Sequence, residues 1–146
     1  MRAWCTALAL AAALAAAPAG AAPNEGCGYR MAATTASPEA RRHFEQGVLL
    51  AWGFDFGGAA RAFRDAIRHD RNCALCYWGA AYALGPSINH DMRPGDESRA
   101  RQAAARAVAL SAGGTALERG LASAMARRYA PQGGREVRDQ AYADAM

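Results

Sequence analysis

Residues 70–89 read DRNCALCYWGAAYALGPSIN, and the reading of this stretch decides the fold. Leu75, Trp78 and Tyr82 recur at three- and four-residue spacing, with Leu84 at the end, which puts them on one face of a helix. Asp70-Arg71-Asn72 is a short polar turn ahead of that helix, and Gly85-Pro86 must end it, because proline cannot continue a helix. Cys73 and Cys76 sit at its start. That pair is either part of a packed helix or the mark of haem, metal or thiol chemistry, and its neighbours bear on which.

Upstream, Ser37-Pro38-Glu39 is a helix start: serine caps, proline is tolerated at the first helical position, and an acid there favours the dipole. The helix predicted from Pro38 to about Trp52 buries Phe44, Val48, Ala51 and Trp52 along one face. Gly53-Phe54-Asp55 breaks it, and Asp55 caps a second helix through Ala59, Phe63, Ala66 and Ile67 to about His69. Downstream, residues 86–95 hold two prolines and no periodicity, which reads as a long ordered loop. Asp96 is expected to cap an alanine-built helix to about Leu110, stopped by Gly113-Gly114. Thr115 and Glu118 form a capping box for a fifth helix to Tyr129, closed by Pro131. A sixth, from about Arg135, is still in register at Met146 with nothing to cap it, which leads us to expect either further chain beyond it or a last helix that frays. No stretch alternates at period two. The expected class is all-α, in successive antiparallel hairpins.

A shift of 34 residues places Gly47 on Ala81, Phe44 on Trp78 and Val48 on Tyr82, and the first unit continues with Ala59, Phe63 and Ala66 in small-ring-small order. This resembles the tetratricopeptide repeat, in which small residues let two helices cross and a ring fills the gap. The second unit keeps the pattern as Ala100, Ala104 and Ala107 if its loop is longer, and the third, from Gly114, is incomplete. The pattern CAxCYWGxAxALGPxIN, followed by ALERxLxxAxARRYA and YADAM, is similar to a group of large bacterial tetratricopeptide-repeat proteins of uncharacterised function. The resemblance implies an α-solenoid over residues 38–146, with more repeats to follow, and a peptide-binding groove lined by the first helix of each pair. Carried over by position, the groove candidates are Arg41, Phe44, Val48 and Trp52, then Leu75, Trp78 and Tyr82, then Glu118, Ala122 and Met125. The rings among them suit core packing equally well.

The chain begins MRAWCTALALAAALAAAPAGAAP, with one early arginine, a short apolar run and small residues around Ala19-Gly20-Ala21. That pattern is a secretory signal peptide over residues 1–21, too short in its apolar core to span a bilayer, so no stable membrane anchor is expected after cleavage. Residues 22–37 read as a flexible arm, and the mature protein as exported, periplasmic or secreted. All 17 basic residues of the chain are arginines, and they alternate with acids, leaving the net charge at +4. Such spacing makes no phosphate-binding stripe, so nucleic acid is not an expected partner.

Haem attachment would need histidine directly after the second cysteine, and Tyr77 stands there. A redox pair fits Cys73 at a helix start, but the βαβ context of such enzymes is missing. His69, Cys73, Cys76, His90 and Met92 form a soft ligand set suited to copper or zinc, without a second cysteine pair to close a site. An oxidising compartment favours a disulfide, drawn from Cys27, Cys73 and Cys76 once Cys5 leaves with the signal peptide. Two reduced cysteines packed as small apolar residues remain the other option. With no lysine, none of the glycine pairs makes a phosphate loop. Asn89-His90-Asp91 lacks a nucleophile or paired carboxylate beside it. We therefore expect no enzyme and no cofactor, but an exported helical-repeat scaffold for a protein or peptide partner. The alternative is a thiol- or metal-handling accessory factor using Cys73 and Cys76.

Overall fold

The structure is a computed structural model that describes residues 31–87 and 91–146. The signal segment, Cys27 and loop residues 88–90 lie outside the described residues. Six helices follow in order: α1 (Pro38–Trp52), α2 (Phe56–His69), α3 (Ala74–Leu84), α4 (Asp96–Ser111), α5 (Ala116–Arg128) and α6 (Arg135–Ala143). The fold is all-helical, with no strand among the described residues.

Most helix starts obey the local chemistry. The Ser37 hydroxyl accepts from the Ala40 amide at 3.1 Å, and the Asp55 carboxylate from the Gly58 amide at 2.7 Å. Thr115 and Glu118 make the full capping box, at 3.2 and 2.8 Å. The start of α4 differs from the sequence expectation. Gly95, with φ at +83°, is the cap, and Asp96 is the first helical residue, its carboxylate paired with Arg99. The chain enters α4 through a left-handed turn that glycine adopts without steric cost. The last helix ends at Ala143, and the amide of Asp144 returns to Gln140 O at 2.9 Å.

Each helix packs on the next, and α3 additionally touches both α1 and α5. One ring organises the first three helices. Phe63, on α2, is 1% exposed and lies against the backbones of Gly47 on α1 and Gly79 on α3. A Cβ at either glycine would come within 2.7 or 2.4 Å of that ring. Phe44 leans on the same ring at 5.8 Å between centroids. On the far side, α4 contributes only Ala100, Ala104 and Ala107 to the core, so its axis can approach α3 closely. The Tyr129 hydroxyl, donating to Ala81 O at 3.0 Å, ties the end of α5 to α3.

Candidate functional site

Because α1, α3 and α5 lie side by side, the predicted groove residues fall on one set of neighbouring helices. Their surroundings divide them. Phe44, Leu75, Ala122 and Met125 are fully buried, and Val48 and Trp78 nearly so. Arg41 and Trp52 are exposed at opposite ends of α1, and Tyr82 is half-buried on α3. Glu118 is only 1% exposed, which for a carboxylate demands partners.

Those partners come from the segment before α1. Glu118 accepts the Thr115 amide, and also the amide and the hydroxyl of Thr34, both at 2.8 Å. Burial pushes the Glu118 pKa upward, but the hydrogen bonds from Thr115 and Thr34 outweigh it and hold the group below the ordinary glutamate value. Next along, the Thr35 hydroxyl donates to Asp70, and Arg41 donates to the Thr35 carbonyl at 3.0 Å. Burial alternates residue by residue: Ala33 is buried, Met31 and Thr35 half-buried, Ala32, Thr34 and Ala36 exposed. That is the period of an extended chain. Residues 31–36, which the sequence places in a flexible arm, thus run as a docked strand past the starts of α1 and α5 and the turn before α3.

At the other end of α1 and α3 the surface is aromatic. Trp78 stacks on Tyr82 at 5.6 Å, Tyr82 meets Phe56 at 6.2 Å, and Phe56 meets Phe54 at 6.3 Å. Phe54 is 68% exposed and holds a left-handed backbone (φ +61°), uncommon for a bulky residue. Leu49 and Trp52 extend the apolar patch, and the buried Trp78 indole nitrogen has no hydrogen-bond partner among the described residues.

Cys73 and Cys76 form a disulfide, their Cα atoms 5.3 Å apart, within the span such a bond requires. Both residues are fully buried, and the Cys73 sulfur caps α3 by accepting the Cys76 amide at 3.2 Å. His69 is not beside them but stacked on His43 at 5.2 Å. Met92 lines a separate cleft of about 350 Å³ between α4, α5 and α6, together with Arg128, Arg135 and Arg138. Among the described residues, no group of three or more His, Cys, Asp or Glu converges on a metal-sized site.

Thr34, Thr35, Asp70, Phe54 and Phe56 were not among the predicted site residues. The Phe54-x-Phe56 spacing at a helix break was the available signal for the rings. Nothing local marked the threonines, because Glu118 is 84 residues away from Thr34 and Asp70 is 35 residues away from Thr35. No protein-family model, no curated protein and no solved structure matches this chain, so any function must be read from the geometry above.

Proposed function

We propose that this protein is an exported scaffold of tetratricopeptide type, whose stacked hairpins present the α1–α3–α5 side to a protein or peptide partner. The observation that carries this reading is the aromatic patch at one end of that side, where Leu49, Trp52 and Phe54 are each more than half exposed. Exposed aromatic side chains grouped together are the usual anchors of protein contacts. Packing of each helix on the next, with α3 also on α1 and α5, supports a solenoid in which the first helices of the pairs line the inner side.

Export is supported by the signal-like start and by the disulfide, since such bonds persist in oxidising compartments. The bond's complete burial supports a staple for α3 in preference to thiol or metal handling. Among the described residues, no helix is long and apolar enough to cross a membrane.

The test is a photo-crosslinking side chain at position 52, with position 108 on α4 as control. We expect one discrete adduct from position 52 alone, whose purified partner no longer binds the Trp52→Glu chain. Identical adducts at both positions, or binding indifferent to that substitution, would overturn the proposal.

A further inference from the structure

We infer that the slot holding residues 31–36 is a recognition site for an extended peptide with two adjacent hydroxyl residues, and that the chain fills it with its own Thr34-Thr35. The inference deepens the scaffold reading and rests on it.

Three charged groups from three parts of the array make the slot, and its two carboxylates are fixed without the strand. Glu118 is held by the Thr115 amide, Asp70 by the Asn72 amide at 2.8 Å, and Arg41 stands on α1. What they read is mostly generic. Glu118 takes the amide and hydroxyl of one residue, Asp70 the hydroxyl of the next, and Arg41 that residue's carbonyl. The apolar hold is slight: Ala33 is buried, Met31 packs half-buried against the core, and Thr34 itself remains exposed. A strand attached mainly by hydrogen bonds at a wet edge is displaceable.

Any extended segment of the form small-(Ser/Thr)-(Ser/Thr) offers the same donors. The two carboxylates would repel an acidic or phosphorylated residue at either hydroxyl position. What protects the slot is the tether. Thr35 lies two residues from the cap of α1, so its effective concentration is on the order of millimolar, and a competitor must exceed that.

The probe is a fluorescein-labelled peptide with the sequence of residues 31–37, MAATTAS, against the full mature chain. Thr34→Pro removes both the amide and the hydroxyl that Glu118 accepts, and should free the strand, seen as fast amide exchange at residues 33–35. We expect saturable binding to this variant at least about tenfold tighter than to wild type, and none by a peptide with valine at both threonine positions. No binding to a variant whose strand exchanges freely would overturn the inference, as would equal binding to variant and wild type. A wild-type dimer with exchanged strands, seen by light scattering, would overturn it too, because the occupant would then be a second copy. Should Thr34→Pro not fold or not free the strand, millimolar peptide must shift the Thr34 amide resonance of the wild-type chain, and an unmoved resonance overturns the inference. A partner captured at position 52 together with no peptide binding removes the slot and leaves the scaffold.

Discussion

Glu118 carries two duties, closing the capping box of α5 and holding the strand before α1, and its titration reports on both. Its pKa is lowered in the folded protein, so its contribution is complete above the unfolded value of 4.5 and fades as pH falls through the lower folded one. The protection of the Thr34 amide, taken against its intrinsic exchange rate at each pH, should accordingly fall in acid before the global transition, and a strand that stays protected until the whole chain melts would contradict this. Tyr129 behaves in the opposite sense. Burial pushes its phenol up to about 12, so the folded state keeps a proton that the unfolded chain releases near pH 10. Stability is therefore lost as pH rises from about 10 to 12, by roughly 2–3 kcal/mol for a shift of this size. Denaturant midpoints at pH 9 and 11.5 will show the difference, and it should shrink in Tyr129→Phe to the part owed to Tyr142, whose phenol burial also pushes up.

Among the helices, the two cysteines and the two glycines around Phe63 do most to fix geometry. Replacing Cys73 and Cys76 together by serine opens a very short loop and should cost about 2 kcal/mol in urea unfolding. Gly79→Ala and Gly120→Ala make a paired test. Both exchange a helical glycine for a better helix former, worth about 1 kcal/mol. At Gly120 nothing lies within 4 Å of the new methyl group, so the chain should gain stability. At Gly79 the methyl meets the Phe63 ring at 2.4 Å, and overpacking of about 1–3 kcal/mol should outweigh the gain. These elements were legible in the sequence because their signals are local: caps at Ser37, Asp55 and Thr115, breakers at Gly53 and Gly85. The start of α4 was not, since Asp96 looks like a cap and only the backbone angle at Gly95 shows that the turn ends one residue earlier.

At the scale of the molecule, order should decline toward the C-terminal end. No residue of α6 is fully buried: its apolar hold is the half-buried Tyr142, and the rest is a set of arginine contacts, such as Arg138 to Glu97 at 2.7 Å and Arg135 to Asp91 at 2.9 Å. Such surface pairs contribute little. Hydrogen exchange should be fastest in α6 and slowest in α2 and α3, and salt should widen the gap. Uniform protection across all six helices would contradict this. The all-helical class followed from spacing alone, but the docked strand did not. Thr34 and Glu118 meet only because the packing of the helices brings the starts of α1 and α5 near one another, and a pattern search confined to neighbouring residues has no access to that meeting.

Phe63 has a further consequence. With glycine on both sides, the gap between α1 and α3 at this level is set by the thickness of one benzene ring, not by interdigitating side chains. The ring acts as a shim. Changing it to leucine would alter the angle between α1 and α3 more than the melting of either, so the direction in which the chain leaves α3 rests on one side chain.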